Sequence, residues 1–361
     1  MKILVTGGAG FIGSHYVRTV LQGGYPGYGH ADMTVLDKLT SAGNLASLEP
    51  VAASPRFSFV RGDVGDAALL STVVPGHDVV INFAAHSCAD RSGTGTPGSA
   101  GVQALLQACL DAKVSRVVQV STDAVYGSVA SGSLAEGAPL EPSSPDAAAQ
   151  AGADLLALAY ARSHGLDVSI ARCCNNYGPY QHPGKVFPLF VTNLIDGLKL
   201  PLHGDGHNVR RWVHVDDHCH GIQTVLEKGQ PGRVYHIAGD AELSNRELAQ
   251  AVLDCFGAGW DTVAYLDERQ GGDRRHSLDD SALREMGYAP RIPFSDGLTA
   301  TVRWYQENRH WWQPLKEPWP AIADAEAAGG PRRSGEHEAA AALAGAPRRR
   351  AGFRRRKSGA F

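Results

Sequence analysis

The chain has 361 residues, 43% of them hydrophobic, and a formal net charge of -3 at pH 7. That length can bury a sizeable core and suits one large α/β unit or two modest ones. No apolar run reaches the roughly 18 residues of a membrane span, and Met1–Val5 lacks the charged and apolar regions of a signal peptide, so a cytoplasmic protein with no membrane partner is expected. The six cysteines (Cys88, Cys109, Cys173, Cys174, Cys219 and Cys255) form no C-x-x-C pair, which argues against a zinc site or a disulfide framework.

In chain order, the first predicted strand, Lys2–Thr6, runs into Thr6-Gly-Gly-Ala-Gly-Phe-Ile-Gly13 and then a helix, Phe11–Leu21. Gly7, Gly10 and Gly13 stand at G-x-x-G-x-x-G spacing. Between a strand and a helix such glycines permit a tight turn and let backbone approach a pyrophosphate at the helix N-terminus. Gly7, Gly10, Phe11, Ile12 and Gly13 are therefore expected to contact a dinucleotide. The second strand, Met33–Asp37, ends on a carboxylate suited to the ribose hydroxyls of NAD and repulsive to the 2′-phosphate of NADP. A third strand, Phe57–Gly62, leads to Asp63, placed for an adenine amino group, and to Val64. Val79–Phe83 leads to Ala84, which completes the expected cofactor contacts.

Next come a helix at Gln103–Ala112 and a strand at Arg116–Ser121. Further on, Val168–Ala171 and Val234–Ile237 read as strands. Asp154–His164 and Asn245–Phe256 read as helices, the latter opened by the capping box Ser244-Asn-Arg-Glu247. Gly297–Asn308 reads as a last helix before Trp311-Trp312. Alternating strands and helices of this kind argue for a doubly wound parallel sheet covered on both faces.

The expected division is 1–175 mainly dinucleotide-binding, 176–316 a smaller, mainly substrate-binding region, and 317–361 a disordered basic tail. Residues 331–361 carry nine Lys/Arg against two Asp/Glu, leaving 25 basic and 35 acidic residues in 1–330. Nucleic acid is not an expected partner, because the Arg-rich run Arg348–Lys357 interleaves one aromatic, Phe353, and has no recognised fold.

Four stretches narrow the reading: Ser121-Thr-Asp-Ala-Val-Tyr-Gly127, Arg172-Cys-Cys-Asn-Asn-Tyr-Gly-Pro-Tyr180, Asn208-Val-Arg-Arg-Trp-Val-His-Val-Asp-Asp-His218 and Gly271-Gly-Asp-Arg-Arg-His276. With the glycine loop, they make the chain resemble the extended short-chain dehydrogenases, and among these the dTDP-glucose 4,6-dehydratase group, from Met1 to about Lys316. The resemblance implies a Rossmann-type fold, a homodimer packed through helices near 99–112 and 146–164, and NAD as cofactor. It also implies an internal redox reaction on a nucleotide sugar. The C4 hydroxyl is oxidised, water is lost across C5 and C6, and the hydride returns to C6, giving a 4-keto-6-deoxy sugar nucleotide for deoxysugar biosynthesis. Asn176, Lys185, Pro188, Arg210, Asn245 and Arg274 match positions that contact the nucleotide, diphosphate or sugar. Arg210 and Arg274 are the sharpest of these, since a guanidinium fork suits diphosphate oxygens.

The catalytic match is partial. The group's Thr-Asp-Glu run keeps Thr122, which would bond the C4 oxygen, and Asp123, which would protonate the leaving hydroxyl, but Ala124 replaces the Glu that removes the C5 proton. Its Tyr-x-x-x-Lys element, source of the base for the C4 proton, reads Asp146 and Gln150. No tyrosine of this chain has Lys four residues on. A Gly-rich stretch, Gly93-Thr-Gly-Thr-Pro-Gly98, is shorter than the group's pattern, and His86 stands where Glu is common. A positioned base is worth roughly 10²–10⁴ in rate, and a carboxylate is a weak base for an alcohol proton, so impaired turnover is expected. His86 and His182 are the candidate replacements by chemical type. The alternative is a non-catalytic or decayed paralogue that binds NAD or a nucleotide sugar, or pairs with an active homologue.

Overall fold

Ile3, Leu4 and Val5 of β1 (Lys2–Thr6) are fully buried. Successive side chains of a strand leave on opposite faces, and both faces are covered here. Ile3 and Val5 join one core with Met33, Val35, Ile81 and Val118, while Leu4 joins another with Leu36, Val80 and Val117. A strand covered on both sides needs such an unbroken apolar run. The computed structural model describes residues 1–85, 98–267 and 273–316.

The remaining strands are β2 (Asp32–Asp37), β3 (Phe57–Arg61), β4 (Val79–Asn82), β5 (Arg116–Thr122), β6 (Val168–Cys173), β7 (Asn175–Tyr177), β8 (Leu200–His203), β9 (Val209–His214), β10 (Val234–Ile237), β11 (Ala241–Ser244) and β12 (Val263–Leu266). The principal sheet has the order β10-β6-β5-β4-β1-β2-β3, parallel throughout. All seven strands read from the sequence lie in it, within two residues at each end.

The helices are α1 (Phe11–Leu21), α2 (Ala67–Val73), α3 (Gly98–Asp111), α4 (Pro145–His164), α5 (Val186–Ile195), α6 (Val215–Lys228), α7 (Asn245–Phe256), α8 (Ser281–Glu285) and α9 (Phe294–Glu307). α1 packs with α6, whereas α2 packs with α3 and α3 with α4. The strand order reverses between β1 and β4, the place where doubly wound sheets open a crevice at their carboxyl ends.

Two smaller sheets were not legible in the sequence. β11-β9-β7 is mixed, with β9 antiparallel to β11 and parallel to β7, and β12 pairs with β8. Their strands have three to six residues, too short for periodicity to separate them from loop. A third core, including Phe187, Phe190, Trp212, Leu248, Val252, Tyr305 and Trp312, packs around α5, α7 and α9.

Some boundaries differ from expectation. α4 begins at Pro145, nine residues before the Asp154 of the apolar pattern and one before the 146 that the resemblance implies. Ser144 caps it by accepting from the Ala147 N–H at 3.2 Å, and Pro145 takes a first-turn position where its missing N–H costs nothing. α9 starts at Phe294 rather than Gly297, and a separate short turn, Arg309–Trp312, carries the terminal tryptophans. Cys109, Cys173, Cys174 and Cys219 are buried thiols, and Cys255 is exposed. His86, Cys88, residues 93–97 of the Gly-rich stretch, Gly271 and Gly272, and the expected tail at 317–361 lie outside the described residues. Among those described, no helix is long and apolar enough to cross a membrane.

Candidate active site

The glycine loop sits at the sheet's reversal point. Gly7 has φ +70°, and a Cβ there would lie 2.6 Å from the Ala84 N atom, so only glycine lets β1 and β4 end this close together. At Gly13 a Cβ would lie 2.6 Å from the Gly7 carbonyl oxygen. α1 therefore starts directly over the loop, and its N-cap, Gly10, provides no side-chain cap for the first-turn N–H groups. The first-turn residues Phe11 and Ile12 are half-buried.

At the end of β2, Asp37 accepts from the Ala9 N–H at 2.9 Å and the Leu39 N–H at 2.8 Å. Burial raises its pKa, and these two bonds oppose the rise. A Cβ at Gly43 would stand 2.9 Å from its Oδ1, so the approach to the carboxylate is lined by backbone. Asp63 accepts from the Gly65 N–H at 2.8 Å and pairs with Lys38 at 3.4 Å. Val64 packs near Gly101, and the Ala84 N–H donates to Asn82 at 3.1 Å. The uncapped helix start, the backbone-lined loop and the fixed carboxylate fit a dinucleotide.

The positions expected to be catalytic lie at the turn that follows β5 and on α4. Thr122 ends that strand and accepts from the Ala124 N–H at 3.2 Å, which caps the 3-10 turn Asp123–Tyr126. Asp123 is 4% exposed and Ala124 is half-buried. α4 packs on this turn. Asp146 and Gln150, one helical turn apart on the same side of α4, are both half-buried. Of the five positions singled out for chemistry, Thr122, Asp123 and Ala124 lie at this turn, and Asp146 and Gln150 lie on the helix that packs on it. The candidate base His182 accepts from the Gly184 N–H at 3.1 Å within the loop leading to α5.

On the substrate side, Asn208 is a hub that the sequence did not single out. Its carbonyl accepts from the Asn245 N–H at 3.0 Å, its Oδ1 accepts from Arg274 at 3.2 Å, and its Nδ2 donates to the Asp273 carbonyl at 3.2 Å. Arg210 donates to that same carbonyl at 2.7 Å. Arg210, Asn245 and Arg274 are therefore gathered around one residue. Arg274 also forms a two-point pair with Asp205, at 3.0 and 2.8 Å. Asn176 lies in the same small sheet as Arg210, and its amide is turned toward the Cys174 carbonyl at 3.0 Å and His218 at 2.8 Å. Lys185 is the exposed N-cap of α5, one turn from buried Pro188. The loop that leads to this pair starts at the 3-stranded sheet, where the Asn176 carbonyl accepts from Gln181.

A parallel sheet with a glycine loop at its reversal point, a carboxylate closing β2 and a Thr-Asp turn closing β5 defines an extended short-chain dehydrogenase architecture. Residues 4–301 match the family described as GDP-mannose 4,6 dehydratase, and the chain belongs to that family. It is 52% identical over 325 residues to the dTDP-glucose 4,6-dehydratase of Streptomyces niveus, covering 88% of this chain and 96% of that one. Among solved structures it is similar to DesIV, a dTDP-glucose 4,6-dehydratase from Streptomyces venezuelae with NAD bound (TM-score 0.84, 57% identity, 88% of this chain and 100% of that one). It is also similar to the dTDP-glucose 4,6-dehydratase of Bacillus anthracis in complex with NAD (TM-score 0.81, 41% identity, 88% and 100%).

Proposed function

We propose that the chain is a dTDP-glucose 4,6-dehydratase homologue of deoxysugar assembly that binds NAD and a dTDP-sugar, and that its turnover is impaired. The observation that supports this is a contrast within one crevice. The dinucleotide cradle and the Asn208 cluster have the residues their roles need, while the turn after β5 and α4 carry Ala124, Asp146 and Gln150. When bound, NAD supplies the hydride acceptor and later the donor. Gly7, Gly10, Phe11, Ile12 and Gly13 would hold its pyrophosphate, Asp37 its ribose and Asp63 its adenine, with Val64 and Ala84 beside them. Thr122 would orient the C4 oxygen and Asp123 would give a proton to the departing hydroxyl. Asp146 is a poor acceptor for the C4 proton, and Ala124 can abstract nothing at C5. With dTDP-glucose as substrate and the 4-keto product followed by its absorbance in alkali, turnover should fall far below the roughly 1–10³ per second of ordinary enzymes, while calorimetry still detects dTDP binding. Ordinary turnover would show that another residue serves as base.

The same substitutions favour a second reading, a non-catalytic paralogue that pairs with an active homologue. It requires no 4-keto product at any protein concentration, even after the missing side chains are restored.

Asp37 carries the choice of cofactor. Asp37→Ala should weaken NAD binding by one or two hydrogen bonds, each about 0.5–1.5 kcal/mol. Tighter binding of NADP than of NAD by the unmodified protein would contradict the assignment.

A homodimer through α3 and α4 is also proposed. The two helices pack side by side, and Leu155 stands 57% exposed on α4, an apolar side chain suited to a partner's face. Leu155→Glu should shift the sedimentation mass toward the monomer. A monomeric mass for the unmodified chain at micromolar concentration would remove the proposal.

A further inference from the structure

Asp123 is tied to a part of the chain that the family mechanism leaves unused. Its Oδ1 lies 3.4 Å from Nδ1 of His276, and the other ring nitrogen, Nε2, lies 2.9 Å from Oδ2 of Asp273. The ring is 6% exposed. One buried imidazole thus stands between two carboxylates, one from the turn after β5 and one from the segment that follows β12. Backbone bonds fix the arrangement: the Val209 N–H donates to the Arg274 carbonyl at 2.8 Å, and the His276 N–H to the Val209 carbonyl at 3.3 Å. Arg210, on β9, closes the remaining side through its bond to the Asp273 carbonyl. The other charged neighbours are engaged elsewhere, Arg275 with Glu242 at 2.8 Å and Arg274 with Asp205.

The charge of this cluster decides the state of the ring. With a neutral imidazole, Asp123, Asp273 and Arg210 sum to one negative charge out of water; a proton on the ring balances them. Burial lowers the pKa of His276, but the Asp123 carboxylate 3.4 Å away, aided by Asp273, outweighs both burial and the repulsion from Arg210, and the net shift is upward. The far end reaches solvent, since Asp273 accepts from the exposed Ser143 hydroxyl at 2.8 Å. At the near end, the other oxygen of Asp123, Oδ2, is buried with no hydrogen-bond partner among the described residues. Contacts of this kind commonly tighten when substrate binds.

We propose that His276 is a positioning residue for Asp123: a protonated imidazole, braced by Asp273, that fixes the Asp123 carboxyl and supplies the proton that Asp123 passes to the leaving hydroxyl. This rests on Asp123 being the acid of that step. The proton on Nδ1 of His276 passes through the Asp123 carboxylate to the leaving hydroxyl, the C–O bond breaks and water departs. The ring is left neutral with its remaining proton on Nε2, and Nδ1 takes its next proton from solvent through the Asp123 carboxylate once product has left. No oxidant or reductant enters this relay.

Two measurements test it. In the full chain labelled with ¹⁵N-histidine, the ring signals that vanish in His276→Asn should titrate above the ordinary 6.5, and Asp123→Asn or Asp273→Asn should each lower that midpoint. A midpoint at or below 6.5, or one unmoved by Asp123→Asn, overturns the proposal whether or not the protein turns over. In a chain carrying Asp146→Tyr, Gln150→Lys and Ala124→Glu, adding His276→Asn should reduce kcat for 4-keto product about 10²-fold and remove the alkaline limb of its pH profile. KM and the first appearance of reduced cofactor should hold steady. An unchanged kcat also overturns it. If the restored chain makes no product at all, the dehydratase reading fails and the titration alone decides the placement and charge of His276.

Discussion

Asp146→Tyr and Gln150→Lys, made together, should raise the rate of hydride transfer from dTDP-glucose to NAD by about 10²–10⁴-fold, the usual worth of a positioned base. Both positions are half-buried on α4, which packs on the turn that carries Asp123 and Ala124. A Lys one turn along the helix would stabilise the phenolate through its charge and bring the Tyr hydroxyl toward neutral pH. Neither change alone should do much, because an untuned phenol is as poor a base as the carboxylate it replaces. Stopped-flow absorbance of the reduced cofactor would show the first half-reaction. The reduced cofactor should then accumulate, since elimination still lacks a residue to take the C5 proton, and adding Ala124→Glu should complete the cycle. If the double variant forms no reduced cofactor although calorimetry shows both ligands bound, α4 beside the turn after β5 is not where the C4 proton leaves.

Acid should destabilise the fold by about 5 kcal/mol between pH 6.5 and pH 5, a large part of the roughly 5–15 kcal/mol that holds a domain together. Two buried histidines, His218 and His236, and the half-buried His214 are responsible. Burial depresses His218 to about 3, and His214 and His236 to about 4 each. His218 donates from Nδ1 to Asn176, while its Nε2 is buried without a partner. His236 donates from Nδ1 to the Asp279 carbonyl at 2.9 Å and accepts from the Tyr126 hydroxyl at 2.7 Å, so it is held as the neutral ring. In the unfolded chain the same rings take up a proton near 6.5. Below that value the unfolded state binds protons that the folded state refuses, and stability falls as the pH drops toward the folded values, each ring accounting for about a third of the loss at pH 5. His276 has the opposite sign. Its raised pKa adds stability that is complete below 6.5 and disappears as pH rises through the folded value. Urea titrations at pH 7 and pH 5 would measure the loss, and His218→Gln should remove about a third of the slope. A stability that is flat over this interval would show that these rings are hydrated in solution.

Much of the dinucleotide half was legible because its signals are local. A G-x-x-G-x-x-G turn, an apolar run covered on two faces and a carboxylate at a strand end are set by neighbours in the chain, and all seven strands of the main sheet followed from them. The start of α4 followed from the resemblance, which places a helix near 146–164, but not from the apolar pattern, which begins at Asp154; the cap Ser144 and first-turn Pro145 are the local signals for the earlier start. The departures at 124, 146 and 150 were also visible in the residues alone. The substrate half was different. Asn208 becomes a hub only when β9, the start of α7 and the segment after β12 converge. His276 becomes a charged neighbour of Asp123 only when the fold takes both out of water and brings two distant segments within 3.4 Å. Burial and proximity across such separations depend on how all the elements pack, so no spacing in the chain could announce them.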